Sequence, residues 1–250
     1  MGKYRLLALD LDGTLLNTEK EISNITKTWL NRTKQAGVEI IFTTGRGIQR
    51  VQYLREQLKL NSPMVLLNGA EIWKDSDQVL ERHFIERKDI IKLHSMAKQS
   101  EANFWGYSVH AHVGWEDWTD DMFAQDWMKF GLSHPNTAVI QQLRQQLKTI
   151  DSLKITNSAE NNIECSKSGL SKEYGIKKIC NHLGINMEEV MAVGDNMNDF
   201  EIIKEVGLGV AMDNSPAVLK EVADDITDTN DNDGVAKAIE KHLFSDVKKV

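Results

Sequence analysis

Carboxylates, a hydroxyl and a lysine occur in four short segments whose residue types suit chemistry on a phosphoryl group. The segments are Asp10-Leu11-Asp12-Gly13-Thr14, Thr44-Gly45-Arg46, Lys172 and Gly194-Asp195-Asn196-Met197-Asn198-Asp199. Paired carboxylates repel one another unless a cation or a shared proton relieves them. Oxygen ligands favour Mg²⁺, which commonly partners a phosphate group of the substrate. Together these residues indicate a site for a divalent metal and a phosphoryl group.

Three of the four segments directly follow a short apolar run that is typical of a buried strand. The runs are residues 6–9, 38–42 and 190–193, and they alternate with helical patterns along the chain. Such runs predict a parallel sheet with helices on both faces. Ligands of these sheets bind outside the carboxyl ends of the strands. The sequence therefore predicts an α/β fold with a doubly wound, Rossmann-like core whose polar residues converge at one edge.

The middle of the chain has a different pattern of predicted helices and strands. Residues 1–81 and 164–250 follow the doubly wound pattern, whereas residues 82–163 are expected to form an inserted α+β module. Within this module we expect helices at 86–100, 120–131 and 137–149, and strands in 103–115, 153–156 and 162–165. An aromatic cluster belongs to it: Phe104, Trp105, Tyr107, Trp115 and Trp118. We expect most of these rings to form the core of the module and one or two to contact a ligand.

Each candidate residue also has a simpler interpretation. Asp10 and Asp12 alone could form a solvated turn, and residues 195–199 could be a polar turn that caps the following helix. Thr44 alone could be a turn or capping residue, and a single lysine such as Lys172 is by default exposed on the surface. The functional interpretation depends on all four segments meeting at one edge of the sheet.

Composition narrows the possible partners. The chain has 250 residues, 41% of them hydrophobic, and a net charge of -7. This acidic balance argues against nucleic acid as a partner, because binding to phosphate backbones requires a basic face. No run of apolar residues is long enough to span a membrane, and no signal peptide is recognised at the start. The two cysteines predict reduced thiols, and we expect a cytoplasmic protein.

Two further patterns suggest metal sites more weakly. His110 and His112 alternate on one predicted strand face, but no third ligand has suitable spacing; they could instead face the substrate. Residues 229–234 imitate a calcium loop, yet its first ligand position is Thr229 and Gly234 is expected to begin a helix. Neither pattern supports a second metal site.

As an ordered set, the four segments resemble the motifs of the haloacid dehalogenase superfamily. Asp10-Leu11-Asp12-Gly13-Thr14 resembles its first motif, Thr44 its second, Lys172 its third, and Gly194-Asp195 with Asn198-Asp199 its fourth. Shorter matches point to the Cof-type branch: Leu67-Asn68-Gly69-Ala70, Ile163-Glu164 before Gly169, Met212 with Asn214, and Asp233-Gly234-Val235-Ala236. Members of this branch insert a cap between the second and third motifs, where residues 82–163 lie.

The resemblance assigns roles to individual residues. It implies that Asp10 attacks phosphorus to give an aspartyl-phosphate, while Asp12 serves as general acid and then as general base. It implies that Mg²⁺ is held by Asp10, the main-chain carbonyl of Asp12 and Asp195, with Asp199 supporting the metal site. It further implies that Thr44, Lys172 and Asn198 hold the transferring group. The candidate substrate-binding residues are Gly45, Arg46, Asn68, Gly69 and Asn198.

The sequence thus predicts a Mg²⁺-dependent phosphatase that acts on a small phosphorylated metabolite. The residue two positions after the nucleophile favours this reaction, because dehalogenating relatives lack the second carboxylate that Asp12 provides. A phosphomutase that uses the same aspartyl-phosphate remains an alternative, as does a ligand-binding regulator that retains the fold. We expect no nucleic-acid or membrane partner, and either a monomer or a homodimer.

Overall fold

A computed structural model describes residues 3–245 of the chain. The first two and last five residues of the expected core segments therefore lie outside the described residues. The larger of two sheets has eight strands in the order β13-β12-β11-β1-β2-β3-β4-β5. Its strands are β1 Leu6–Leu9, β2 Glu39–Thr43, β3 Met64–Leu66, β4 Glu71–Trp73, β5 Val79–Arg82, β11 Val190–Gly194, β12 Leu208–Ala211 and β13 Asp225–Ile226.

The predicted parallel core is confirmed. β1 pairs in parallel with β2 on one side and with β11 on the other, and β4 and β5 add an antiparallel edge. Alternate residues of β1 point to opposite faces, so Leu7 and Leu9 belong to one buried cluster and Leu6 and Ala8 to another. Burial on both faces explains why these strands are continuously apolar rather than alternating.

Helices cover both faces of the larger sheet. α1 Asn24–Gln35, α2 Gln52–Leu58 and α8 Gly234–Leu243 contribute buried side chains to the cluster that includes Leu7. α5 Lys172–Leu183, α6 Phe200–Glu205 and α7 Ala217–Lys220 contribute to the cluster that includes Leu6. The result is a three-layer α/β core whose strand ends meet at one edge.

A second sheet of five antiparallel strands lies between β5 and α5 in the sequence. Its order is β7-β6-β8-β10-β9, formed by β6 Asn103–Ser108, β7 His112–Gly114, β8 Trp127–Ser133, β9 Leu153–Thr156 and β10 Asn162–Lys167. α3 Arg87–Gln99 and α4 Thr137–Leu147 pack on one face around Phe104, Phe130 and Ile163. The opposite face is turned toward the larger sheet. The expected module boundary between residues 163 and 164 lies within β10.

The prediction of a helix over residues 120–131 is wrong. The structure has only a short 3₁₀ turn at Asp120–Ala124, followed by strand β8 from Trp127. β8 is central in its sheet, between β6 and β10, and six of its seven residues are buried. A strand buried on both faces lacks the alternation that would distinguish it from a buried helix, so periodicity alone could not identify it.

Smaller differences follow from local geometry. A 3₁₀ turn at Ile48–Arg50 precedes α2, with Val51 between them. The two-residue strand β13 was not predicted, because it is too short to show a periodic pattern. His110 lies in the turn between β6 and β7 rather than on a strand face with His112.

Both cysteines are free and buried. Among residues 3–245, the helices are too short or too polar to cross a bilayer.

Candidate active site

The four predicted segments meet at the carboxyl edge of the larger sheet. Asp10 directly follows β1, Thr44 directly follows β2, and Asp195 directly follows β11. Because these strands are parallel neighbours, their ends place the three side chains side by side. Lys172 reaches the same place from the first turn of α5. The edge gathers acidic and cationic groups that are far apart in the sequence.

Lys172 is fully buried beneath this edge. Its Nζ donates to Oδ1 of Asp10 and to Oδ1 of Asp199, each at 2.6 Å. A lysine at a helix N-terminus opposes the helix dipole, and burial by itself lowers the pKa of a lysine. The two carboxylates outweigh burial and raise the pKa of Lys172 above its ordinary value, so the ammonium form is retained. Lys172 is therefore a fixed positive charge directly beside Asp10.

The loop after β3 brings α5 close enough for this contact. Gly69 has φ +97°, and a Cβ built on it would lie 2.3 Å from the carbonyl oxygen of Ser171, the N-cap of α5. Leu67 and Asn68 before it are also in the left-handed region, at φ 52° and 55°. Backbone in this region is strained for residues other than glycine and needs support from its surroundings. Gly69 is thus a packing residue that lets Lys172 reach the site.

Three carboxylates crowd the same point. Oxygens of Asp10, Asp195 and Asp199 all lie within 4.8 Å of one another. Burial raises the pKa of Asp10 well above its ordinary value, and the neighbouring carboxylates act in the same direction while Lys172 opposes them. Burial and the charge of Asp199 raise the pKa of Asp195 to about 6. Negative charge is therefore in excess at this point.

The carboxylates of this cluster have different partners. Asp199 accepts from the backbone N–H groups of Asp195 and Asn196 at 3.2 and 3.1 Å, in addition to its bond with Lys172. Asp195 accepts from the hydroxyl of Thr14 at 3.0 Å. A Cβ on Gly13 would lie 2.3 Å from Oδ2 of Asp195, so glycine is needed for the approach of the two loops. Hard, crowded oxygens with excess negative charge fit a divalent cation.

Asp12 is held by two cations. Its carboxylate accepts from Nε and Nη2 of Arg46, both at 2.7 Å, and from Nζ of Lys20 at 2.9 Å. Burial acts to raise the pKa of Asp12, but the bonds from Arg46 and Lys20 outweigh burial and lower it to about 2. The same pairing raises the pKa of Arg46. The two-bond contact fixes the orientation of the Asp12 carboxylate as well as its charge.

The remaining predicted residues form a hydrogen-bonded rim around the cluster. Thr44 is buried, and its hydroxyl accepts from the backbone N–H of Arg46 at 3.2 Å. Asn198 donates to Oδ1 of Asn68 at 3.1 Å, and the side chain of Asn68 lies beside Gly45. Of the predicted substrate-binding residues, Gly45, Arg46, Asn68 and Asn198 line the cavity, and Gly69 does not.

A cavity of about 1130 Å³ separates this edge from the smaller sheet. The side formed by the larger sheet carries Asp10, Asp12 and Asp195. The side formed by the smaller sheet carries Trp105, Tyr107, His112 and Trp115. Trp115 is exposed, whereas Tyr107 is buried and its ring is tilted by 49° against that of His112, with 4.6 Å between the centroids. Phe104 and Trp118 pack within the smaller sheet's own core. The prediction that most of the five rings form the core is therefore wrong, because Trp105, Tyr107 and Trp115 line the cavity.

Sequence reasoning missed several residues of the cavity. Lys20 and Lys129 supply cations there, and Glu164, Arg50 and Tyr53 complete the wall. One signal was available: Lys129 is a charged residue within the apolar run 127–132, where burial must be compensated by a partner. Lys20 gave no comparable signal, because its segment resembles a polar surface loop.

Comparison with known proteins gives concordant results. Residues 7–121 and 110–239 match a family model described as haloacid dehalogenase-like hydrolase. The chain is 38% identical over 235 residues to a 5-amino-6-(5-phospho-D-ribitylamino)uracil phosphatase of Bacillus subtilis (strain 168), covering 94% of each chain. A second phosphatase of the same name and organism is 29% identical over 266 residues, covering 96% of this chain and 98% of the relative. A crystal structure of a haloacid dehalogenase-like hydrolase from Bacteroides thetaiotaomicron superposes with a TM-score of 0.87 at 27% identity, covering 95% and 99% of the two chains.

Proposed function

The chain belongs to the haloacid dehalogenase-like hydrolases and is a phosphatase, and from this premise we propose that it hydrolyses the phosphomonoester of a small metabolite through an aspartyl-phosphate on Asp10. The observation that supports this proposal most is the buried contact of Lys172 with Asp10 beside Asp195. A nucleophile, a fixed cation and a metal-binding carboxylate then face one phosphoryl group, with Asp12 next to it.

Asp10 is the nucleophile in this scheme. A carboxylate oxygen of Asp10 attacks phosphorus, the bond from phosphorus to the ester oxygen breaks, and that oxygen leaves with a proton from Asp12. Water then attacks phosphorus of the aspartyl-phosphate, Asp12 removes a proton from this water, and the carboxylate of Asp10 is regenerated as inorganic phosphate is released. Lys172 orients the attacking carboxylate and offsets negative charge that develops on the phosphoryl oxygens.

Asp12 begins from the ionised state, because Arg46 and Lys20 lower its pKa to about 2. An incoming phosphoryl dianion places new negative charge beside this carboxylate, and nearby like charge raises the pKa of an acid. Substrate binding therefore moves Asp12 toward the protonated form that the first step requires. The ionised form that remains after the leaving group has departed is the base for the second step.

Mg²⁺ is the proposed metal. Asp10, the main-chain carbonyl of Asp12 and Asp195 would hold it, and Asp199 would support the site through its bonds to the backbone of residues 195 and 196. A bound divalent cation neutralises charge on the phosphoryl oxygens and orients the group for in-line displacement. The small, hard oxygen set and the expected phosphate ligand favour Mg²⁺ among divalent metals.

Residues around the cluster bind the phosphoryl group and the rest of the substrate. We assign Thr44, the backbone of Gly45 and Asn198 to the phosphoryl oxygens, with Asn68 supporting Asn198. Residues 1–81 and 164–250 form the proposed catalytic core and 82–163 its cap. The cap supplies aromatic rings to the cavity, and we assign to it the role of covering the site and selecting the leaving group.

The leaving group is proposed to be a polyol joined to a flat heterocycle. Relatives at 38% and 29% identity are named as 5-amino-6-(5-phospho-D-ribitylamino)uracil phosphatases. A cavity of about 1130 Å³ accommodates such a molecule, and Tyr107 and Trp115 offer aromatic faces on its cap side. A flat heterocycle binds such faces by stacking.

The test is phosphate release by the purified protein with Mg²⁺ and a panel of phosphate esters. The panel contains 5-amino-6-(5-phospho-D-ribitylamino)uracil, pyridoxal phosphate, several sugar phosphates and p-nitrophenyl phosphate. We expect the highest kcat/KM for the ribitylaminouracil ester and labelling of Asp10 when the reaction is quenched early. Turnover without an acyl-phosphate on Asp10 would contradict the mechanism. A clear preference for small sugar phosphates would contradict the substrate class and leave the mechanism standing.

A further inference from the structure

Lys129 lies on the central strand of the smaller sheet, with its amine directed at the catalytic edge of the larger one. The residue is 3% exposed, and its neighbours Met128 and Phe130 are buried apolar residues. Its Nζ donates to the carbonyl oxygen of Gly45 at 2.9 Å and forms an ion pair with Glu164 on β10. Placing a charged amine in a buried strand is costly. The hydrogen bond to Gly45 joins this buried amine to a loop of the larger sheet.

The residues 44–47 form a loop whose carbonyl groups are held from both sheets. The carbonyls of Thr44 and Arg46 accept from the backbone N–H groups of Asn68 and Leu67, at 3.0 and 3.1 Å, which belong to the larger sheet's own loop. The carbonyl between them, that of Gly45, accepts from Lys129. The smaller sheet therefore completes the hydrogen bonding of this loop.

A second contact lies on the other side of Arg46. A Cβ built on Gly47 would lie 2.7 Å from Cδ1 of Tyr107, so the ring of this β6 residue packs directly on the glycine. Lys129 and Tyr107 thus touch the residues before and after Arg46. Arg46 itself holds the carboxylate of Asp12 by two bonds of 2.7 Å.

We propose that Lys129 is a positioning residue for Asp12: its bond to Gly45 fixes the 44–47 loop, and Arg46 of that loop fixes the acid. This inference rests on the proposed function, in which Asp12 protonates the leaving oxygen. Docking of the smaller sheet on the loop sets the place of Arg46, so the acid is correctly placed only while the cap covers the substrate. Lys129 acts through the loop and does not itself exchange protons with the substrate.

The prediction that separates this role from others is dependence on the leaving group. An alkoxide leaves only if it is protonated, whereas nitrophenolate leaves readily without a proton. Misplacing a catalytic group by about 1 Å costs on the order of 10²-fold in rate. Loss of the Lys129 contact should therefore slow alkyl esters and spare p-nitrophenyl phosphate.

The experiment compares kcat/KM, which reports formation of the aspartyl-phosphate and not its later hydrolysis, for p-nitrophenyl phosphate and for the alkyl ester that the wild type turns over fastest in the panel above. The variants are Lys129→Met and Lys129→Met/Glu164→Gln; the second removes the ion pair without leaving Glu164 as an unpaired charge. We expect kcat/KM on the alkyl ester to fall roughly 10- to 100-fold and kcat/KM on the aryl ester less than about 3-fold. Lys154→Met is the matched control, because Lys154 on β9 faces Glu201 on α6 at 4.0 Å, away from the loop.

An Asp12→Asn background tests whether Lys129 acts through Asp12. We expect Asp12→Asn alone to show the same dependence on the leaving group, and the added Lys129 change to alter the ratio no further. An equal loss on both esters, a change confined to KM, or an additive loss in the Asp12→Asn background would overturn the positioning role. If Asp12→Asn alone spares alkyl esters, the proposed role of Asp12 fails instead.

Gly47→Ala provides an independent route if the Lys129 variants do not fold. Its Cβ would displace the ring of Tyr107 and loosen the second contact beside Arg46. The same selective loss on the alkyl ester is expected, with the fold checked by circular dichroism. Unchanged ratios in folded Gly47→Ala would overturn the proposal that docking on this loop places Asp12.

Discussion

Asp10 illustrates at the residue scale why this site is costly to fold. In the proposed mechanism its carboxylate must be ionised to attack phosphorus, yet burial raises its pKa well above the ordinary value. Lys172 at 2.6 Å favours the ionised form, and Asp195 and Asp199 oppose it. The protein thus keeps a carboxylate in a place that disfavours its charge, a pattern that is common at active sites. Lys172 supplies positive charge at this place, and the proposed metal would add to it.

Asp10→Asn should reduce kcat by at least ~10⁴-fold, because an amide cannot form the aspartyl-phosphate. Asp12→Asn should slow both half-reactions, and its kcat/KM should fall most on alkyl esters, by roughly 10²- to 10⁴-fold, since protonation of the leaving oxygen is lost. Steady-state rates on an alkyl and an aryl ester measure both effects. The Tm of Asp10→Asn should not decrease, because the substitution removes a charge that burial disfavours. Appreciable hydrolysis by Asp10→Asn would identify another nucleophile.

A metal requirement follows from the crowding of Asp10, Asp195 and Asp199. Activity should disappear in chelator and return on addition of Mg²⁺, and Asp195→Ala should raise the Mg²⁺ concentration for half-maximal activity by at least ~10-fold. Ca²⁺ should inhibit, because its larger and looser coordination shell misplaces the phosphoryl group. Titration of the apoprotein with each metal, read by phosphate release, provides the measurement. Full activity in the presence of chelator would contradict the assignment.

At the scale of single elements, Gly69 determines where α5 begins. Gly69→Ala would place a Cβ 2.3 Å from the Ser171 carbonyl, in a backbone with φ +97°. We expect a loss of ~2–4 kcal/mol in the free energy of unfolding, more than left-handed backbone strain alone produces. Activity should fall at least ~10-fold because Lys172 moves with α5. Denaturant unfolding and kcat measure the two effects.

Gly37→Ala is the matched control for this prediction. Gly37 also has a positive φ, +78°, but nothing lies within 4 Å of the added Cβ. Its cost should be ~1 kcal/mol, that of backbone strain alone, with kcat unchanged. Equal effects of the two substitutions would show that the contact with Ser171 does not matter.

The strand leading into the cap is joined to α5 by a polar cluster. Glu81 on β5 accepts from Lys178 Nζ and Tyr174 OH, each at 2.8 Å, and pairs with His83 at 3.0 Å. Burial by itself would raise the pKa of Glu81, but these three bonds outweigh it and lower the pKa. A carboxylate with a lowered pKa in the folded state stabilises the fold above its unfolded pKa of about 4.3, and this stabilisation is lost as the pH falls through the lowered value.

Glu81→Gln should therefore lower the Tm at pH 7 by roughly 2–4 °C, the shift produced by about 1 kcal/mol in a chain of this size. The difference from wild type should narrow steadily below about pH 4, where Glu81 becomes protonated in both states. Differential scanning calorimetry between pH 3 and pH 7 measures this convergence. A Tm difference that is constant over the range would show that the charge of Glu81 does not contribute.

At the scale of the whole molecule, the two sheets line opposite sides of one cavity. The larger sheet presents the phosphoryl chemistry at its carboxyl edge, and the smaller sheet closes the cavity with aromatic residues. Trp115 is 45% exposed and lines the cavity, so its side chain is available to a ligand and contributes little to the cap's core. This separation allows substrate selection to change without altering the reaction.

Trp115→Ala should reduce kcat/KM for the ribitylaminouracil ester by ~5- to 50-fold, the loss expected when one stacking contact is removed. Hydrolysis of p-nitrophenyl phosphate should change less than about 3-fold. Ile91→Ala is the control, since Ile91 is 47% exposed on α3 and lies outside the cavity. The ratio of the two kcat/KM values provides the measurement. Equal effects on both substrates would place selection in the core loops.

The parallel core, the insertion and the polar residues at the sheet edge can all be predicted from the amino-acid sequence alone. These were readable because buried parallel strands are continuous apolar runs, and because residues at neighbouring strand ends become neighbours in space. The proximity of Asp10, Thr44 and Asp195 could therefore be predicted from the sequence. Strand β8 could not be predicted in this way, because a central buried strand and a buried helix share one apolar pattern.

The ionic and hydrogen-bonding partners of the charged side chains, in contrast, are seen only in the folded structure. The pairing of Asp12 with Lys20 and Arg46, and the bond from Lys129 to Gly45, connect segments 8, 34 and 84 residues apart. No local periodicity encodes such pairs: Asp12 and Arg46 meet because β1 and β2 are neighbours, and Lys129 reaches Gly45 because the smaller sheet packs against the larger one. Sequence spacing gives the face and the strand end of a side chain, whereas its partner across the cavity depends on how the layers dock.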